Sequence, residues 1–456
     1  MVLDHPQELL NTQAGGLPLQ SLIDAAPLAP IQILVVLLCG LVFITEGVDL
    51  NLIPLLAPAI AADWKLPTAA FSAIFSSGPV GLIIGGFTVG YFADRFGRRR
   101  ALIGAMVLMT FATLATAATH DVPALLVSRV LTGIGFGGVI PASTALVSEF
   151  LPSRLRASAA AFVILGQSLG GLLAALFMKS PLGIAHWQTI ILEVSGLCAL
   201  TLALIVAFLP ESPRYLLLRP AQSGRLKSTL SRLGVADTPA PPEAAHAAGA
   251  RRSQVASLFM SGRALGTSLL WLTFVGVCWT VSFFTSWLTL IYTQAGKPAA
   301  AGITATSAYY LGGVVGGLVV PAFCARWTVN KVLMAAILAG AVSCTALGSS
   351  LHSDDILNLT CVFACGVFIP GAFYMLYPPV VGFYPTAIRS TGLGSAVAVG
   401  RVGNTLSPAA AGLMLGAGFL PETVFWTMAV PLVAALLAMF MFNRLTGGSD
   451  ATDAVR

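Results

Sequence analysis

Ionisable side chains are what this sequence has least of. Of 456 residues only 9% are Asp, Glu, Lys or Arg, against roughly 25% in an ordinary soluble protein. A soluble fold of this size has no means of covering the apolar remainder, 57% of the chain. Histidine is scarce as well, with five in all. His120, His186 and His352 are too scattered for a metal site, and neither a nucleophile elbow nor a soluble catalytic domain is present. No enzyme activity, metal or cofactor is therefore expected. The first 30 residues contain no Lys or Arg and so lack the charged head of a signal peptide; no cleavage is expected. The seven cysteines all fall in apolar stretches, and Cys361 and Cys365 lack the spacing of a metal knuckle, which makes them small packing residues.

What is present is a repeated apolar stretch of about 20 residues, the length a membrane-spanning helix needs. Twelve are placed at 31–62, 68–93, 101–119, 122–148, 157–179, 188–209, 264–293, 300–325, 330–350, 356–381, 390–418 and 421–443. The expectation is an all-α membrane protein whose solvent is the lipid bilayer. Residues 1–30 form an N-terminal tail, 31–209 a first six-helix half, 210–263 a linker rich in Pro, Ala, Ser and Arg, 264–443 a second half, and 444–456 a tail. Alternating sides across twelve spans puts 19 of the 24 Lys and Arg on one side and three on the other, with Arg129 and Arg401 inside spans. The positive-inside rule then makes both termini cytoplasmic. The formal charge of +6 is thus a topology signal, and no nucleic-acid partner is expected.

The halves look duplicated. Phe150-Leu151-Pro152-Ser153-Arg154-Leu155-Arg156 is echoed 233 residues later by Phe383-Tyr384-Pro385-Thr386-Ala387-Ile388-Arg389, and the same shift carries the start of span 1 to the start of span 7. Two six-helix halves in parallel repeat are the plan of one large class of transporters.

Against this apolar background a few charges stand out. Each costs roughly 2.5–3.5 kcal/mol at mid-membrane, so Glu46, Asp49, Arg129, Glu193 and Arg401 should avoid lipid and face a shared interior, Glu193 with the weakest claim. Glu46-Gly47-Val48-Asp49 puts two carboxyl groups on one helix face, suited to proton handling; the plain alternative is a structural ion pair with Arg129. Arg129 stays charged in practice and, like Arg401, offers a fork that fits a carboxylate. Aligning Gly166 with Gly400 puts Gln167 opposite Arg401, with Asn404 one turn further on. Trp279, Trp287, Tyr292, Tyr309, Tyr310, Tyr374 and Tyr377 could stack a ring, although most interfacial Trp and Tyr are membrane anchors; Tyr374 and Tyr377, beside Pro378 and Pro379 in a helix expected to bend, have the best claim. Gly133-Ile134-Gly135-Phe136-Gly137-Gly138 sits in a span with no strand before it, so it is read as helix packing and not as a dinucleotide loop.

Gly90-Tyr91-Phe92-Ala93-Asp94-Arg95-Phe96-Gly97-Arg98-Arg99-Arg100 resembles the signature loop of the major facilitator superfamily. The resemblance implies that Gly90, Asp94, Arg95, Gly97 and Arg98 take part in cytoplasmic gating, with Glu149 as acidic partner and Arg389 in the repeated loop. The second copy, Phe323-Cys324-Ala325-Arg326-Trp327, has Ala325 where the Asp would stand, and so a weaker latch is expected. Pro210-Glu211-Ser212-Pro213-Arg214-Tyr215 resembles a motif of the sugar, organic-ion and aromatic-acid branches. Nearly the whole chain is similar to the aromatic acid:proton symporters, from Leu22-Ile23-Asp24-Ala25-Ala26-Pro27-Leu28-Ala29-Pro30-Ile31-Gln32 through Glu46-Gly47-Val48-Asp49, although Glu46 stands for the usual Asp and Val48 for the usual aromatic. That resemblance implies proton-coupled uptake of small aromatic carboxylates such as hydroxybenzoates by a monomer in the inner membrane. It makes Glu46 and Asp49 the proton-coupling pair, and Arg129 and Arg401 substrate ligands. Proton-coupled efflux of drugs or other small molecules is the alternative that the same fold would serve.

Overall fold

The structure is a computed structural model that describes residues 19–178, 186–219, 222–235, 255–260, 262–385 and 388–447. Its elements are helices throughout the described residues. A short helix α1 (Leu19–Ala25) precedes the first half: α2 (Pro30–Trp64), α3 (Phe71–Phe96), α4 (Arg98–Ala117), α5 (Val122–Phe150), α6 (Ser153–Phe177) and α7 (Trp187–Phe208). The connecting segment adds α8 (Pro213–Leu217) and α9 (Ser223–Arg232). The second half comprises α10 (Ala264–Gln294), α11 (Ala299–Ala322), α12 (Val329–Ser350), α13 (Asp355–Tyr374), α14 (Tyr377–Phe383), α15 (Arg389–Gly416), α16 (Pro421–Thr427) and α17 (Ala429–Leu445).

Eleven helices among the described residues are long and apolar enough to cross a membrane. The one expected span outside that set is α15, whose 28 residues are ample for a crossing. Its apolar content is diluted by Gly, Ser, Thr and Arg401, and it packs between α3 and α10 with Val397, Arg401 and Asn404 on an internal cavity. The weakest hydropathic signal thus belongs to a helix with polar work to do inside. The expected bend near Tyr374 is a full break: helix geometry stops after Tyr374 and resumes at Tyr377, because Pro378 and Pro379 donate no backbone hydrogen bond and clash with the preceding turn.

The repeat seen in the sequence is repeated in the packing. α2 packs on α6 as α10 packs on α15; α3 on α5 as α11 on α13; α4 on α7 as α12 on α17. The echoed motif even makes the same hydrogen bond twice: Arg156 Nε donates to Leu151 O at 3.1 Å, and Arg389 Nε to Tyr384 O at 3.3 Å. The halves meet along α2–α10, α3–α15 and α6–α11. Within the halves, glycines let backbones touch: a Cβ on Gly85 would lie 2.0 Å from Ile134 O, and one on Gly316 would lie 2.0 Å from Val367 O. The glycine runs are helix contacts, in keeping with their composition.

Helix α1 was not apparent in the sequence of the tail. Leu22 and Ile23 bury against the body, while Asp24 accepts from Ser153 N at 2.7 Å and Ser153 Oγ at 2.8 Å. Asp24 therefore caps α6 from a distant part of the chain. The backbone N–H of Ser153 holds the Asp24 carboxyl below its usual range.

Candidate functional site

A cavity of about 220 Å³ lies where the halves face each other. Its walls include eight aromatic rings, Phe75 and Phe136 from the first half and Phe274, Tyr309, Tyr310, Phe373, Tyr374 and Tyr377 from the second. Among its polar lining groups are Arg129, Gln167, Arg401 and Asn404, the four named from the sequence, joined by Asn51, Ser282, Thr285 and Ser286. Tyr309 and Tyr310 were ring-stacking candidates with a weaker claim than Tyr374 and Tyr377, and the hydroxyl stretch of α10 was not singled out. Tyr and Trp in apolar spans read as membrane anchors, and only tertiary packing turns these inward. Trp287 and Tyr292 are fully buried as well.

The two arginines sit differently. Arg129 on α5 is 6% exposed, with Nη1 3.6 Å from Asp49 Oδ1 and Nη2 donating to Thr116 Oγ1. Thr116 in turn meets Ser128 Oγ at 3.1 Å. Asp49 Oδ2 accepts from Thr113 Oγ1 at 3.0 Å. The first half thus contains a closed acid–base cluster spanning α2, α4 and α5. Arg401 on α15 makes one hydrogen bond among the described residues, Nη1 to Leu82 O at 2.9 Å. Gly86 gives it room: a Cβ there would stand 2.6 Å from Nη1. The remaining guanidinium donors are uncommitted beside the cavity. The carboxamides of Gln167 and Asn404 have no hydrogen-bond partner either, among the described residues.

The expected pair on α2 is divided. Glu46 and Asp49 are both fully buried and lie behind the cavity wall; neither is among its lining residues. Asp49 is held as described. Glu46 has neither oxygen hydrogen-bonded and no cation in ion-pair contact among the described residues. Between Glu46 and Asp49, Gly47 meets α6, where a Cβ would lie 2.3 Å from Gln167 O. Glu193, expected inside with the other charges, is instead exposed on α7 and takes no part in the internal cluster.

Hydrogen bonds tie the halves together beside the cavity: Tyr310 Oη to Asn51 Oδ1, and Ser168 Oγ with Tyr374 Oη at 2.8 Å. Near one end, Phe75 meets Trp287 edge-on at 5.1 Å, and Ser72 presses on Gly412, where a Cβ would lie 1.9 Å from its oxygen.

At the far end of α3, the signature loop is clasped by its own half. Arg98 Nε lies 3.3 Å from Glu149 Oε1, and Ser212 donates to Glu149 Oε2. Arg99 N donates to Glu211 Oε1 at 3.0 Å, while its guanidinium donates to Leu209 O and Val206 O, both at 2.6 Å. Arg95 O accepts from Arg219 Nη2 at 3.0 Å. Gly97 has φ 104°, a left-handed value that glycine tolerates best. These partners come from the first half and from the connecting segment that follows it. Gly90 and the side chain of Asp94 lie outside what the structure describes.

An internal, aromatic-walled cavity between two duplicated helical halves, bordered by an arginine from each, defines a membrane transporter and not an enzyme. The chain belongs to the Sugar (and other) transporter family of the major facilitator superfamily, whose sequence profile matches residues 46–451, and it is similar over nearly its full length to transporters of aromatic acids. It is 31% identical over 446 residues to the 4-hydroxybenzoate transporter PcaK of Pseudomonas putida, covering 97% of this chain and 99% of that one. It is 32% identical to the gallate transporter of Pseudomonas putida, covering 91% and 93%, and 32% identical to the 3-(3-hydroxy-phenyl)propionate transporter of Escherichia coli K12, covering 89% and 92%. Among solved structures, the inward open xylose transporter XylE from E. coli superposes with a TM-score of 0.70 at 19% identity, covering 90% of this chain and 96% of that one. That likeness speaks to the fold.

Proposed function

We propose that this protein imports small aromatic carboxylates across the inner membrane together with protons, as a monomer of twelve spans with both termini cytoplasmic. The observation that supports the reading best is Arg401, a cation beside an aromatic-walled cavity with donors left free. A carboxylate engages such a fork through two parallel hydrogen bonds. Phe274, Tyr374 and Tyr377 supply faces for the ring, and Gln167 and Asn404 supply donors and acceptors for its substituents. Relatives named for 4-hydroxybenzoate and gallate agree with that chemistry. Ligand pockets commonly measure roughly 300–1,000 Å³; a cavity of about 220 Å³ suits one ring better than a multi-ring drug.

In this reading Glu46 and Asp49 handle the proton, Arg129 provides a fixed charge, and the halves rock about the cavity to expose it to either side. Phe75 against Trp287 closes the outer end. Gly90, Asp94, Arg95, Gly97, Arg98, Glu149 and Arg389 steady the cytoplasmic loops through that motion. Uptake of labelled 4-hydroxybenzoate by cells expressing the protein, with and without a protonophore, tests the reading. The expected outcome is accumulation abolished by the protonophore. Accumulation that rises when the protonophore is added points to efflux and contradicts it.

A further inference from the structure

Two carboxyl groups one helical turn apart invite the assumption that both carry protons. Their surroundings argue otherwise. Asp49 has Arg129 at 3.6 Å and a hydroxyl donor from Thr113 at 3.0 Å, so its charge is neutralised in place. Glu46 is equally buried, but both of its oxygens lack any partner. An ion stripped of water without a partner costs several kcal/mol, and a buried carboxyl group in that position takes a proton instead. Groups on the neighbouring helices complete the comparison. The cation that acts on Glu46 is Arg401 of α15, and the anion that acts on it is Asp49 of its own helix. Arg129 of α5 acts on Asp49, and the Cys198 thiol of α7 faces that same pair. Tyr377 of α14 and the Cys278 thiol of α10 face Arg401. From α6 comes the uncharged Gln167, its backbone against Gly47, and from α11 comes Tyr310, bonded to Asn51.

We propose that Glu46 alone takes up and releases the transported proton, that Asp49 remains an anion held by Arg129, and that a monoanionic substrate therefore crosses with one proton and no net charge. The inference rests on the import reading above and adds the stoichiometry. Glu46 and the substrate compete for one cation. While a substrate carboxylate occupies Arg401, the guanidinium's charge is spent and Glu46 keeps its proton. Once the substrate leaves, Arg401 favours the Glu46 anion and the proton departs. One proton in and one carboxylate in sum to zero charge.

The test uses purified protein in proteoliposomes with labelled 4-hydroxybenzoate. An inward proton gradient alone is expected to accumulate the label about tenfold per pH unit, one decade of proton activity per molecule carried. A potassium–valinomycin potential, inside negative, is expected to accumulate none. Accumulation driven by the potential alone requires a second proton and overturns the inference while leaving import intact. Absence of uptake in either gradient removes both. The Glu46→Gln variant is expected to lose gradient-driven accumulation and to exchange external label for internal unlabelled acid at a rate that no longer responds to pH; gradient-driven accumulation by this variant overturns the inference. Should Glu46→Gln fail to fold, the charge measurement on the unaltered protein decides alone.

Discussion

The two halves descend from one plan yet use their central arginines in opposite ways. Arg129 is enclosed by Asp49 and Thr116 and is almost fully buried. Arg401 has one backbone partner and borders the cavity. Arg129 has a carboxylate beside it in its own half, whereas Arg401 has no carboxylate in ion-pair contact among the described residues and keeps donors free. Similar chemistry thus meets two different surroundings according to what the neighbouring helices supply, and the proposed function gives the binding role to Arg401. The sequence alone does not distinguish them, because Asp49 and Thr116 reach Arg129 only after α2, α4 and α5 have packed.

That contrast is broken most severely at Arg401. Arg401→Ala should lower 4-hydroxybenzoate uptake by roughly 100-fold, the loss of two charge-assisted hydrogen bonds worth about 1.5 kcal/mol each. Thermal stability in detergent should stay close to that of the parent. Asp49→Asn should do the reverse in its first effect. It strands Arg129, and breaking a buried pair costs about 3–5 kcal/mol, so a lowered melting temperature and reduced membrane abundance should accompany lost transport. If Arg401→Ala destabilises the protein as much as Asp49→Asn does, the contrast fails.

The cytoplasmic loops repeat the comparison on a smaller scale. In the first half Arg98, Arg99, Glu149, Glu211 and Ser212 interlock beneath Gly97. In the second, Phe323–Ala325 forms a single tight turn and Arg326 contributes its backbone N–H to Phe323 O at 3.0 Å. Ala325 stands where the acid would be, which removes the charge that would hold a partner. Gly97→Ala should therefore destabilise by about 1–2 kcal/mol, since it combines a left-handed φ with a Cβ 2.5 Å from Glu211 Oε2. Arg326→Ala should fall within about 0.5 kcal/mol of the parent. Thermal unfolding of both variants under one condition measures the difference.

The smallest expected effect concerns α1. The Asp24 carboxyl is held below its ordinary value by Ser153, so its contribution is complete above the unfolded value of 3.8 and is lost as pH falls through the lower folded value. Hydrogen-exchange protection factors at Leu19–Ala25, which remove the intrinsic pH dependence of exchange, should be unchanged between pH 5 and 8 and fall only in acid; a fall near neutrality would contradict the capping role.

Much of this architecture was legible because lipid imposes a long apolar repeat, and because the duplicated loop motif survives in both halves. Arg129, Gln167, Arg401 and Asn404 were legible for a related reason: a polar group in an apolar span must face something other than lipid. Three features were not. Tyr309 and Tyr310 look like any membrane tyrosines until α11 turns them inward. Helix α1 is too short to show a period. The separation of Glu46 from Asp49 depends on Thr113 and Arg129, which are distant in sequence.

The central claim, that the cavity recognises a carboxylate through Arg401, is tested most directly by competition. Purified protein should bind labelled 4-hydroxybenzoate, the free acid should displace it, and the uncharged methyl ester, with the same ring and hydroxyl, should displace it at least tenfold less well. In Arg401→Ala that preference should vanish. An ester that competes as well as the acid against the unaltered protein would contradict the account.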